Sequence, residues 1–135
     1  MLRRNAVTMI ALAVVASFCG LPSADAATPK AVCYNAWIST NSLMYQVNNE
    51  FDDGPVWEGA YYANLAAHDA FLEAYDVEKG VRGASLQVVQ DHLDDALVEL
   101  YYLSQMNLPG DLPQAVKSAI WYTNYARNVV NKKLQ

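Results

Sequence analysis

Cysteine is the scarcest useful residue in this chain. There are two, and Cys19 falls in a segment that reads as removable. An exported domain left with Cys33 alone has no internal disulfide, so packing has to carry its stability. Cys33 reads as a small apolar residue buried on the first helix. The sharper alternative is a disulfide to another molecule. Histidine is equally sparse, with His68 and His92 only. No Cys-x-x-Cys-His is present, which excludes covalently attached haem of the c type. The Glu-x-x-His motif of di-iron bundles is also missing, because Leu65 and Val89 stand three residues before the histidines. Neither a glycine-rich phosphate loop nor a nucleophile turn occurs. These absences leave no catalytic signature, and the chain reads as a non-enzyme. A small enzyme, or a bundle holding haem non-covalently through His68 and Met44, ranks below that reading.

Long apolar runs are missing too, except at the start. Arg3 and Arg4 precede an uncharged apolar stretch from Ala6 to Phe18, and Ala24-Asp25-Ala26 supplies small residues where a signal peptidase reads. That pattern predicts a signal peptide over residues 1–26, cleaved before Ala27, with a periplasmic or secreted product. The stretch is too short to favour a membrane span, and none is expected in the mature chain. Residues 27–135 then form one small domain.

A basic face is the next absence. Without Arg3, Arg4 and Asp25 the chain keeps seven basic and thirteen acidic residues, a net charge of −6. From Glu50 to Glu99 twelve acids meet only Lys79 and Arg82, whereas after Asp111 there are four bases and no acid. Phosphate backbones need the opposite balance, so nucleic acid is excluded as a partner. Cations and basic proteins fit.

What is present is helical periodicity. Leu86, Val89, Leu93, Ala96, Leu100 and Leu103 recur at three- and four-residue steps, the spacing of one buried face. Cys33, Trp37, Thr40, Met44, Val47 and Phe51 do the same after Thr28-Pro29, a cap followed by proline at the first helical position. Asp53-Gly54-Pro55 breaks that helix and opens a second, reaching about Val77. This second helix is ambiguous, with Tyr61, Leu65, His68, Leu72 and Tyr75 on one face and Ala60, Ala63, Ala67, Ala70 and Ala74 on the other. An alanine face admits close approach by a neighbouring helix or a second subunit. Glu78 to Gly83 makes a loop, and the third helix spans about Ser85 to Asn107. Asp111 and Gln114 form a capping arrangement for a fourth helix lined by Val116, Ala119, Ile120, Thr123, Ala126 and Val130. Nothing reads as a strand pair. The prediction is an all-α, antiparallel up-down-up-down four-helix bundle.

Two sets of candidate residues follow. Nine tyrosines and three tryptophans all lie beyond residue 26. In the adjacent pairs Tyr61-Tyr62, Tyr101-Tyr102 and Trp121-Tyr122, neighbours point about 100° apart, so at least one of each lies off the core. Tyr62, Tyr101, Tyr102 and Trp121 are therefore the candidate partner-binding residues, for a protein partner or a second copy in a homodimer. The second set is Asp91, Asp94, Asp95 and Glu99 on the third helix, whose carboxylates suit a hard cation such as calcium or a trivalent ion. The principal reading is a protein that acts through protein–protein interaction. The alternative is a cation binder or carrier, and no other cofactor is implied.

Overall fold

A computed structural model describes residues 27–135. The expected signal peptide and cleavage site fall on residues 1–26, outside the described residues. Four helices and no strands make up the described chain.

Helix α1 runs Pro29–Glu50. Thr28 caps it, its hydroxyl accepting the Ala31 amide at 3.2 Å, and Pro29 occupies a position whose amide would find no partner in the helix. It ends as Phe51 turns to extended backbone and returns its own amide to the Val47 carbonyl at 2.8 Å. Helix α2 spans Gly54–Lys79 and stops at Gly80, whose φ of 74° is the left-handed conformation of a helix stop. Ser85 caps α3, Leu86–Ser104, by accepting the Val88 amide at 3.2 Å. The loop before α3 is tied down by Glu73, which accepts the Ser85 amide at 2.8 Å. Helix α4 covers Leu112–Leu134.

Two details depart from the sequence reading. Asp111 precedes α4 with no side-chain cap. Its backbone sits at φ −88°, ψ 0° rather than extended, and only its carbonyl engages, accepting the Ala115 amide at 3.1 Å. Helix α3 ends at Ser104, three residues before Asn107, where Gln105 and Met106 bond back three residues in a tightened last turn.

Each helix packs on two others, α1 and α3 each against both α2 and α4, so the four close into a ring. Its interior holds two apolar clusters. One gathers Val32, Cys33, Ala70, Ala74, Val89, Leu93 and Val129. The other holds Leu43, Met44, Val47, Ala60, Ala63, Leu100, Leu103 and Val116. Burying a leucine or valine fully is worth about 1.5–3 kcal/mol, and α3 alone buries Val89, Leu93, Leu97, Leu100 and Leu103. Buried hydroxyls stay satisfied without water. Ser39 donates to the Ala36 carbonyl and Thr123 to the Ala119 carbonyl, both at 2.7 Å. Among the described residues no buried side-chain polar atom lacks a partner.

The ambiguous helix resolves in one direction. Helix α2 turns Ala60, Ala63, Ala67, Ala70 and Ala74 inward, while Tyr61, Leu65 and Leu72 stand exposed. The small face is therefore the core face. Gly59 marks how closely α3 approaches, since a Cβ there would lie 3.0 Å from a Leu103 methyl.

Candidate interaction surface

The four candidate aromatics are all at the surface, with Tyr62 52 %, Tyr101 45 %, Tyr102 50 % and Trp121 41 % exposed. Two of the adjacent pairs go further than helical geometry requires. Both Tyr61 and Tyr62 are exposed, and so are both Tyr101 and Tyr102. In the third pair Tyr122 is buried and Trp121 is outside. The four do not form one patch. Tyr101 leans to α4, its hydroxyl accepting from the Asn124 amide group at 2.8 Å. Trp121 lies on the outer side of α4, stacked on Tyr125 at 5.4 Å between ring centres. It borders a shallow depression of about 320 Å³ that also takes in Lys117, Ile120 and Asn128.

Tyr62 and Tyr102 lie instead on the side shared by α2 and α3. Gly59 meets Leu103 across that interface. Tyr62, three residues after Gly59, shares its face, and Tyr102 stands about 100° round the helix from Tyr101, on the side away from α4.

The acids of α3 also divide. Asp94 pairs with Arg127 of α4, and Asp91 accepts from Gln87 one turn earlier at 3.0 Å. Asp95 and Glu99 stand one helical turn apart on the flank nearer α2. Among the described residues no three of His, Cys, Asp and Glu gather in a way that would hold a metal ion. The two residues considered for haem are separated as well. Met44 belongs to an inner cluster, whereas His68 rests half-buried against the Trp37 ring at 4.7 Å. Trp37 and Met44 are seven residues apart, about 10 Å along α1.

That contact of His68 belongs to an aromatic group the sequence reading did not assemble. Trp37 stacks on Phe71 at 5.5 Å and 13°, Tyr34 meets Phe71 edge-on at 5.5 Å, and Phe71 adjoins Tyr75. The Lys79 ammonium sits 4.4 Å from the Tyr75 ring centre, with Lys30 on the same ring at 5.4 Å. Tyr75 is the main cause holding the Lys79 ammonium above its ordinary pKa. Toward the other end of α2, Trp57 stacks on Tyr61 at 5.1 Å and donates to Asn48 at 2.8 Å. The signal for these groups was the three-and-four spacing of His68, Phe71 and Tyr75, which pairs with Tyr34 and Trp37 only once α1 and α2 are known to be neighbours.

Cys33 is fully buried, and burial pushes its thiol up to about 12. It is a packing residue in this conformation. Among the described residues no helix is long and apolar enough to cross a membrane. No protein-family model, curated protein or solved structure matches the chain.

Proposed function

We propose that this is a non-enzymatic exported protein, periplasmic or secreted, that works by docking a protein partner or a second copy of itself. One observation carries the reading. Helix α2 builds its share of the core from alanine and holds Tyr61, Tyr62, Leu65 and Leu72 in solvent. A helix free to choose would bury those large residues and gain their transfer energy. Large exposed apolar and aromatic side chains clustered on one element mark a surface that another macromolecule covers, and tyrosine is prominent among residues that anchor interfaces.

The reading takes the bundle as antiparallel, up-down-up-down. Its support is the order of contacts between α1 and α2. Lys30 meets Glu78, Trp37 meets His68, Thr40 meets Asn64 and Asn48 meets Trp57, so one helix ascends as the other descends. Export is supported by the N-terminal pattern of Arg3, Arg4, an apolar run and Ala24-Asp25-Ala26.

The test compares wild type with Leu65→Ser/Leu72→Ser, each purified as the cell produces it. Light scattering reads self-association, and affinity capture from periplasmic extract reads a partner. The expected result is an oligomer or a retained partner in wild type that the variant loses while its helical circular dichroism is unchanged. A strict monomer retaining nothing, or a variant that retains as much as wild type, refutes it.

A further inference from the structure

We infer that the seam between α2 and α3 docks a lysine- and arginine-bearing amphipathic helix of another protein. This rests on the docking reading above and names the chemistry of the partner.

The seam carries two outward stripes. On α2, Glu58, Tyr62 and Asp69 follow one another at helical spacing, and on α3, Asp95, Glu99 and Tyr102 do the same. Both tyrosines are half exposed. The stripes lie side by side because the Gly59–Leu103 contact and the Glu73–Ser85 hydrogen bond fix the two helices against each other at both ends of the seam. Two adjacent outward stripes, each carrying a tyrosine and acids, offer a face along which an amphipathic helix can lie.

Charge decides what that helix carries. Two acids of the described residues are paired with bases, Glu78 with Lys30 at 2.7 Å and Asp94 with Arg127. Glu58, Asp69, Asp95 and Glu99 have no such ion pair among the described residues. Helix α3 contains no lysine or arginine, and the one lysine of α2, Lys79, is at its far end against Tyr75. Asp95 and Glu99 are like charges one turn apart, an arrangement that weakens a free helix slightly. A cationic partner relieves this repulsion and covers Tyr62 and Tyr102 in the same step. The other aromatic surfaces have a different character. The groove of α1 and α2 already holds Lys30 and Lys79 over Tyr75, and the depression on α4 is bordered by Lys117.

The probe is a fluorescein-labelled helical peptide of leucine and lysine, compared with the same peptide carrying glutamate for lysine, by fluorescence anisotropy. The lysine peptide is expected to bind, with affinity falling as salt rises, and the glutamate peptide is not. Both Asp95→Asn/Glu99→Gln and Tyr62→Ser/Tyr102→Ser are expected to weaken binding about tenfold or more. Asp52→Asn/Asp53→Asn, which removes the same charge from the α1–α2 turn, leaves it within about twofold, as charges away from an interface do. Amide shifts by NMR should fall on α2 and α3. No binding, equal binding of the two peptides, or equal loss from the Asp52/Asp53 variant overturns the inference. If the chain still captures a partner or self-associates through Leu65 and Leu72, the docking reading survives and only this assignment fails.

Discussion

Helices α2 and α3 are neighbours that fill the core in opposite ways. Helix α3 buries Val89 and four leucines and keeps its acids outside, together with Val88, Val98, Tyr101 and Tyr102. Helix α2 puts alanine inside and leaves tyrosine and leucine outside. Both solutions fill the same ring, because the large side chains of α3 reach across to the small face of α2, as Leu103 does at Gly59. The difference teaches that apolar content does not say which side of a helix is the core. Volume does. A face of small residues lets the backbones come close, and its partner supplies the bulk.

The largest effect expected from this contrast is in leucine deletions. Leu100→Ala or Leu93→Ala removes a side chain with no solvent exposure and should lower unfolding free energy by about 2–5 kcal/mol. Leu65→Ala or Leu72→Ala on α2 should change it by about 0.5 kcal/mol or less, as exposed sites do. Urea denaturation of the four variants measures both. Equal losses on the two helices would mean that the outward leucines of α2 are structural after all, and the docking reading would lose its basis.

Cys33 tests how tightly the junction of the two kinds of face is sealed, because it packs among Ala70 and Ala74 of α2 and Val89 and Leu93 of α3. Its thiol is raised from 9.0 to about 12 by burial. The unfolded thiol ionises first, so the stabilisation is fully present below pH 9.0 and is lost as pH rises toward about 12. At pH 8 a thiol reagent should react with the folded chain at least about a hundredfold more slowly than in denaturant, since only the thiolate attacks and burial suppresses it. Rapid labelling of the folded protein would show that the alanine side opens readily.

These contrasts also mark how far the sequence could be read. The α3 stripe from Val89 to Leu103 was legible, because its leucines recur on one side while all the acids fall on the other. The α2 orientation was not, since the face at Tyr61, Leu65 and Leu72 and the alanine face are both apolar and only the neighbours' volume chooses between them. That at least one residue of each pair Tyr61-Tyr62, Tyr101-Tyr102 and Trp121-Tyr122 is exposed followed from the angle between adjacent helical residues, whereas the exposure of both members in the first two pairs did not. The division of Tyr62, Tyr101, Tyr102 and Trp121 among different sides of the bundle did not follow either, because it depends on which helices are neighbours. The same holds for Asp94, whose partner Arg127 is 33 residues away.

Overfilling the alanine side should cost less than emptying the leucine side. Ala63→Leu places three more carbons on a face with no exposure, and the ring must open or shift rotamers to admit them. The expected loss is about 1–3 kcal/mol, read by the shift in the urea midpoint. A neutral result would mean that the α2 interface holds unfilled space and that alanine is not required there.

The smallest effect concerns the border of α3 with α4, where the comparison turns from volume to charge. Asp94 and Arg127 form an ion pair, yet their side chains remain 43 % and 39 % exposed. Water and salt screen such a pair, and ordering two flexible side chains opposes it. A double-mutant cycle with Asp94→Asn and Arg127→Gln should therefore give a coupling of about 0–1 kcal/mol that shrinks in high salt. Asp95→Asn, on the flank with no base nearby, should be neutral or slightly stabilising, because it removes the repulsion with Glu99 one turn on. The two substitutions thus differ in sign although the residues are adjacent and carry the same carboxylate. A loss of stability from Asp95→Asn comparable to that from Asp94→Asn would place a structural partner on the α2 side, and the seam would no longer have carboxylates to offer a cationic helix.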